Sequence, residues 1–326
     1  VKIKKSQERI KEWYEAYGGM VYVARSGGKD SDVLGNIVKN MYPNVPHIFI
    51  NTGLEYDSVK KHGESESDRT IKPKKTFAKV IKDYGYPVIS KEVAQTICKA
   101  RVNASNGKYS YRIKKLDGIA IDKKTGLPSQ YNIPQYKYLL DAPFRISHKC
   151  CDVMKKNPAK DYEKETGNKP FLGIMTEESR LRKEKWLKYG CNAFELDRPT
   201  SQPLSFWTEQ DILQYIVKYR VELADAYGYI VYTDEDGMFY DEPLFLDSMK
   251  LTTTLCKRTG CIFCMFGIRQ DTDRFLKLKE MEPEKYDYVM RGGKFDSSGM
   301  WVPQNGLGYK FVIDWLNKNG NLGIRY

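Results

Sequence analysis

A short apolar run, Met20-Val21-Tyr22-Val23-Ala24, leads through Arg25 into Ser26-Gly27-Gly28-Lys29-Asp30-Ser31. Behind it, Val33, Leu34, Ile37, Val38 and Met41 recur at the spacing of an amphipathic helix. The segment reads as buried strand, glycine loop, helix. Glycines let the backbone N–H groups of such a loop turn inward around a phosphate. The helix N-terminus adds unpaired donors and a partial positive charge. Ser26 and Ser31 supply hydroxyl donors, Lys29 a neutralising cation, and Asp30 a carboxylate to hold Mg²⁺ or to position the loop. The spacing excludes a Walker loop, which needs four residues between its first glycine and Gly-Lys. The plain alternative is a glycine turn that caps a helix, and the full hexapeptide in this setting disfavours it.

The rest of the pattern extends this unit. A helix is expected over residues 6–17, a strand at His47-Ile48-Phe49-Ile50, helices over 57–69 and 74–84, and a third strand at Tyr86-Pro87-Val88-Ile89. The sheet resumes at Pro170-Phe171-Leu172-Gly173-Ile174-Met175, followed by a basic helix from Glu177 to about Tyr189. Thr208-Glu209-Gln210-Asp211 caps a helix with Ile212, Leu213, Ile216 and Tyr219 on its inner face. A hairpin is expected over 229–241 and a charged helix over 271–290. Alternating strands and helices imply an α/β fold, a parallel sheet with helices on both faces. The expected divisions are 1–100 and 150–225 for the two halves of the α/β domain, 101–149 for an insertion, and 226–326 for a C-terminal cysteine-containing helical subdomain.

Charge narrows the partners. Lys and Arg number 54 against 42 Asp and Glu, a net of +12, which predicts an anionic partner. The stretch 101–149 holds ten basic and three acidic residues, interleaved with Tyr109, Tyr111, Tyr131, Tyr136 and Tyr138. It reads as an insertion of hairpin character that binds nucleic acid (tRNA or DNA), or else covers the nucleotide site as a lid. With three histidines, His47, His62 and His148, a His-rich metal site or a Ser-His-Asp triad is hard to build. No run of about 18 apolar residues exists, so no membrane span is expected. The start of the chain is basic and lacks the apolar stretch of a signal peptide, so a cytoplasmic location is expected.

Seven cysteines without a signal peptide argue against a disulfide framework. Cys150 and Cys151 are adjacent, and Cys261-Ile262-Phe263-Cys264 is a C-x-x-C. Four thiolates from these positions suit Zn²⁺ or a [4Fe–4S] cluster. An adjacent pair strains to converge on one small ion, which favours the larger cluster. Cys256 is a fifth candidate, able to replace one of the pair, whereas Cys98 and Cys191 read as core residues. Buried free thiols are the plain alternative.

Ser26 to Ser31, Asn51-Thr52-Gly53-Leu54-Glu55-Tyr56, Lys149-Cys150-Cys151, Gly173 through Glu177-Glu178-Ser179-Arg180, and Arg258-Thr259-Gly260-Cys261-Ile262-Phe263-Cys264 together resemble the adenine-nucleotide α-hydrolase superfamily, which contains the N-type ATP pyrophosphatases. Within it the sequence is most similar to the phosphoadenosine-phosphosulfate (PAPS) reductase branch, of the phage and prophage type. The resemblance covers residues 20 to 268. It implies a Rossmann-like core with a pyrophosphate loop in which Ser26, Gly27, Gly28, Lys29, Asp30 and Ser31 hold the phosphates of ATP or PAPS. Thr52, Gly53 and Glu55 would lie near the adenosine. Gly173, Glu177, Ser179 and Arg180 would complete the pocket, with Arg180, and Arg182 beside it, on the anion. Catalytic roles fall to Lys29, Asp30 and Arg180. The cysteine pattern resembles the cluster-binding pattern of the adenylyl-sulfate-reducing branch. Arg25 and Asp32 depart from what the resemblance leads one to expect on either side of the loop, and Asp32 would compete with a phosphate.

Three functions follow. The first is cleavage of an adenine nucleotide at its α-phosphate, adenylylating a nucleic acid or small acceptor, which then reacts with a sulfur nucleophile such as sulfide. The second is reduction of a sulfonucleotide by an external thiol. The resemblance implies a nucleophilic cysteine near the C-terminus for that reaction, and none follows Cys264. The third is a nucleotide-sensing iron–sulfur regulator that binds nucleic acid and turns over nothing.

Overall fold

The computed structural model describes residues 1–106, 109–242 and 249–326. Gly107 and Lys108 of the expected insertion, and residues 243–248 of the expected C-terminal subdomain, lie outside the described residues. The chain forms two units. The first joins Val1–Pro73 to Lys155–Gly260, and the second joins Lys74–Met154 to Cys261–Tyr326.

In the first unit the strands are β1 (Val21–Arg25), β2 (His47–Ile50), β3 (Arg69–Ile71), β4 (Lys169–Leu172), β5 (Asn192–Ala193) and β6 (Thr200–Ser201). They form one sheet in the order β3-β2-β1-β4-β6-β5, parallel except for the β5–β6 edge. The helices are α1 (Lys2–Ala16), α2 (Lys29–Met41), α3 (Asp57–Ser65), α4 (Asn157–Thr166), α5 (Arg180–Tyr189) and α6 (Glu209–Tyr219). Val21 and Val23 of β1 pack with Ile10 and Trp13 of α1, Leu34 and Ile37 of α2, and Ile212 and Ile216 of α6. Tyr22, between them, faces the other way and packs with Ile48 and with Tyr162 of α4. Successive side chains of a strand point to opposite faces, so a strand buried on both sides reads as a continuous apolar run. The fold class is α/β, with a mostly parallel Rossmann-like sheet flanked by helices.

The chain leaves β1 for β2 and β3 on one side, then returns to β4 on the other. The carboxyl ends of β1 and β4 therefore flank a topological switch point, where open α/β sheets bind ligands. The third strand of this sheet is β3, which begins at the last residue of the helix expected over 57–69 and fills the gap before the next expected helix. The helix from Asp57 stops at Ser65. β3 lies at the sheet edge with Arg69 and Thr70 exposed, so it carries no apolar run to announce it.

A second sheet of the first unit joins Lys250–Thr253, Ile230–Thr233 and Phe239–Tyr240, all antiparallel. The expected hairpin over 229–241 is its β-turn arm. Gln210 of α6 donates to the Leu251 carbonyl at 2.8 Å and accepts from the Leu251 N–H at 2.9 Å.

The second unit is built on Val88–Ile89, paired in parallel with Met265–Phe266. The apolar run at 86–89 thus enters a two-stranded ladder of this unit rather than the main sheet. The stretch 101–149 is not a hairpin. Helix Lys91–Ser105 runs into it, followed by helix Tyr111–Leu116 and the 3₁₀ turn Pro134–Asp141, with one isolated bridge between Ile121 and Pro128. The expected helix over 271–290 is two helices, Arg274–Met281 and Pro283–Met290, because Pro283 has no N–H to continue the first and sits at the start of the second. Tyr86, Phe144, Phe275 and Tyr309 form the aromatic centre, fully buried. The Tyr86 hydroxyl donates to the Leu307 carbonyl and that of Tyr309 to the Phe263 carbonyl, each at 2.8 Å, so both buried hydroxyls are satisfied. Among the described residues no helix is long and apolar enough to cross a membrane.

Candidate phosphate-binding site

The glycine loop leaves β1 and enters α2 with Gly27 at φ +68°. A Cβ there would lie 2.5 Å from the Val59 carbonyl oxygen, so only glycine fits. Gly173, just past β4, has the same role across the switch point. Its Cβ would meet the Asp30 carbonyl oxygen at 2.9 Å. The ends of β1 and β4 approach this closely because Gly173 has no side chain. The hydroxyls of Ser26 and Ser31 are 3.0 Å apart, and Ser31 donates to the Gly28 carbonyl at 2.8 Å.

Lys29 is buried at the head of α2. Its ammonium donates to the Lys257 carbonyl at 2.6 Å and lies 3.1 Å from the Glu209 carboxylate. Its backbone N–H donates to the Tyr227 hydroxyl at 3.0 Å, which is 2.8 Å from the Thr259 hydroxyl. The segment reaches the loop because the Leu255 and Cys256 N–H groups donate to the Tyr227 and Ala226 carbonyls, stitching 255–256 alongside 226–227. Tyr227, Glu209 and Lys257 are functional candidates that sequence reasoning missed. Glu209 lies on a segment read only as a helix cap, Tyr227 lies just before the hairpin expected over 229–241, and Lys257 contributes a carbonyl, which no residue type reveals.

Asp30 is the most perturbed carboxyl of the site. Burial, opposed by Lys29 and aided by Glu178, pushes it up to about 6. Its Oδ1 is buried with no hydrogen-bond partner. A buried, unpaired carboxylate oxygen at a phosphate cradle fits a divalent cation, which takes oxygen ligands.

The arginines sort differently from expectation. Arg180 is exposed and its guanidinium donates to Glu184 at 2.8 Å, one turn along α5. Arg182 and Arg258 instead converge on Glu178, Arg258 at 3.3 Å. Arg258 also influences Asp30 electrostatically, whereas Arg180 is turned to its own helix. Glu177 accepts from the Glu209 N–H at 2.9 Å, and Ser179 caps α5 by accepting from the Arg182 N–H. Thr52 and Glu55 lie at the carboxyl end of β2, hydrogen-bonded to each other at 2.5 Å, and Gly53 turns between them at φ +70°. Because β1 and β2 pair in parallel, this turn neighbours the glycine loop.

Cys150, Cys151, Cys261 and Cys264 all belong to the second unit. Burial, with the neighbouring Cys261 and Cys151 thiols adding to it, pushes the Cys264 thiol up to about 12. Burial, with the Cys264 and Cys150 thiols adding to it, pushes the Tyr309 hydroxyl well above its ordinary value. The four thiols therefore share one unit, and among the described residues no three Cys, His, Asp or Glu side chains stand arranged to hold a metal ion. Cys256 belongs to the first unit.

Much of the charge in 101–149 serves the fold. Arg101 donates to the Leu139, Ala142 and Phe144 carbonyls. Lys115 pairs with Glu92 at 2.9 Å and Lys137 with Asp117 at 2.8 Å, and Tyr109 donates to the same Asp117.

No protein-family model matches the chain, and no curated protein matches it. Among solved structures it is similar to the phosphoadenylyl-sulfate (PAPS) reductase of Candida auris in a phosphate complex. The match has 15% identity and a TM-score of 0.37, over 68% of this chain and 82% of that one.

Proposed function

We propose that the first unit is an enzyme that binds an adenine nucleotide at Ser26–Ser31 and cleaves it at the α-phosphate. The observation that carries this reading is the pairing of the glycine loop at the switch point with a buried Lys29 and a half-buried Asp30 whose Oδ1 is buried with no partner. With ATP, an acceptor oxygen bonds to the α-phosphorus, the bond from that phosphorus to the bridging oxygen breaks, and pyrophosphate leaves. Lys29 and the loop amides stabilise the charge that gathers on the leaving group, and Asp30 holds Mg²⁺. Binding requires the Lys29 N–H to release Tyr227 and its ammonium to exchange the Lys257 carbonyl for a phosphate. Arg258 and Arg182, held by Glu178, take the anion-binding role that the sequence pattern assigns to Arg180. A sulfide-level sulfur donor then attacks the adenylylated acceptor, forming the carbon–sulfur bond as the carbon–oxygen bond breaks and AMP leaves. The four cysteines of the second unit are the proposed ligands of an iron–sulfur cluster, with zinc as the alternative occupant.

The test is incubation of the pure protein with ATP and Mg²⁺, and separately with PAPS and a thiol, reading pyrophosphate, AMP and sulfite. Pyrophosphate release from ATP, abolished in Lys29→Ala, supports the reading. Sulfite from PAPS with no pyrophosphate from ATP would replace it with sulfonucleotide reduction.

A further inference from the structure

The excess positive charge of the chain lies in one unit. Residues of the first unit carry 28 Lys and Arg against 28 Asp and Glu, and those of the second carry 26 against 14. The whole net charge of +12 therefore belongs to the unit that lacks the glycine loop. A nucleotide pocket does not explain it.

Within the second unit the charge lines an open groove. Helix Phe77–Tyr84 forms one wall, and the hairpin that pairs Lys294–Phe295 with Trp301–Val302 forms the other. One cleft of about 800 Å³ is lined by Lys75, Lys82, Arg145, Lys294 and Phe295, among others. A second, of about 730 Å³, shares Lys82, Pro303 and Gln304 with it and adds Lys79 and Arg291. The two form a continuous channel with six cations and two carboxylates, Asp83 and Asp296. Asp83 pairs with Lys75 at 2.7 Å and with Lys79 at 2.9 Å, and Asp296 lies 3.5 Å from Arg145. Those carboxylates fix the direction of three cations. Lys82 and Lys294, on opposite walls, are exposed and have no ion pair among the described residues. Exposed aromatic rings stand along the same path: Phe295 is 51% exposed, Tyr288 38% and Tyr84 36%.

We propose that this groove binds single-stranded nucleic acid. A chain of phosphates spaced along a backbone needs a row of cations in an open channel. Unpaired bases need ring faces to stack on, and aromatic stacking is tolerant of sequence. A mononucleotide needs an enclosed cavity, and a duplex hides its base faces. The proposal rests on residues separate from the phosphate-binding site and stands whether or not the first unit cleaves ATP.

The test is fluorescence anisotropy of the full chain with a labelled 20-nucleotide oligo-dT, the matching oligo-rU, and a 20-base-pair duplex, from 50 to 300 mM salt. Oligo-dT or oligo-rU should bind more tightly than duplex, with affinity falling as salt rises. Lys82→Ala/Lys294→Ala should lower the magnitude of the log–log salt slope by about 1.4, at ~0.7 per lost phosphate contact. Phe295→Ala should weaken binding about 5- to 100-fold through lost stacking. Phe295 also packs against Trp301 and Phe311, so the lysine pair, which is exposed, tests the groove free of any folding defect. Lys123→Ala/Lys124→Ala, on the exposed turn of the same unit, should change nothing. Three results would overturn the proposal: no saturable binding to either single strand at 50 mM salt, tighter binding of duplex, or loss of binding in the Lys123/Lys124 variant with none in the Lys82/Lys294 variant.

Discussion

The guanidinium of Arg25 lies 3.0 Å from the carboxylate of Asp32, and both side chains are almost wholly buried. These are the two residues that depart from the expected pattern around the glycine loop, and each accounts for the other. Asp32 does not compete with a phosphate, because it faces Arg25 and, at 3.1 Å, His62 of α3. Gly35 makes the pair feasible. A Cβ on it would lie 1.9 Å from the Arg25 Nη1.

Breaking this pair from one side should be costly, because it leaves an uncompensated buried charge. Asp32→Asn is expected to lower unfolding free energy by about 3–5 kcal/mol in urea titrations. Arg25→Met/Asp32→Leu should recover much of that loss. A double variant no more stable than Asp32→Asn would show that the pair does not act as a unit.

His62 gives the same cluster a pH dependence. Its hydrogen bond to Asp32 outweighs burial and raises its pKa above the ordinary histidine value. The folded state thus binds the proton more tightly than the unfolded state. The contribution is fully present below the unfolded pKa of ~6.5 and is lost as pH rises through the raised folded value. Wild-type stability minus that of His62→Gln, measured across pH 5 to 9, should shrink on the alkaline side. A difference that is flat with pH would remove His62 from the cluster's energetics.

Asp30 shifts stability in the same direction with pH, over a lower window. Burial raises its carboxyl to about 6, so between about pH 4 and pH 6 the folded state holds a proton that the unfolded state has released. Stability from this group therefore falls as pH rises through that window. Asp30→Asn should stabilise the apo protein at pH 7, by on the order of 2 kcal/mol, while weakening Mg²⁺-dependent ATP binding. Lower apo stability in that variant would mean that the carboxylate is compensated in the fold.

Tyr227 occupies the Lys29 N–H that a phosphate would use. Tyr227→Phe removes a competing hydrogen bond worth about 1 kcal/mol, so pyrophosphate should bind ~5-fold more tightly by calorimetry. Weaker binding would instead place the hydroxyl on the ligand.

The cysteines allow a direct assay. Protein purified without oxygen should be brown and hold iron with acid-labile sulfide. Cys264→Ser should lose both, whereas Cys98→Ser should keep both. Stoichiometric zinc in colourless protein would assign the alternative metal, and metal-free folded protein would leave the four as core thiols.

Local chemistry was enough to read the loop. A strand, two glycines, Lys29 and a helical stripe stand next to one another in the chain, so Ser26–Ser31 and the class of the main sheet were legible before any coordinates. Gly173 was singled out through the family resemblance alone, and the physical need for glycine there, the close approach to Asp30, appears only in three dimensions. Tertiary structure decided what sequence spacing does not encode. An apolar run records burial without naming the partner, so 86–89 left the main sheet while the exposed edge strand Arg69–Ile71 entered it. A guanidinium on a flexible stem goes to whichever carboxylate the fold presents, so Arg180 turned to Glu184, and Arg182 and Arg258 turned to Glu178. Charge can be counted along a chain, but its segregation into one unit appears only when distant segments, 74–154 and 261–326, pack together.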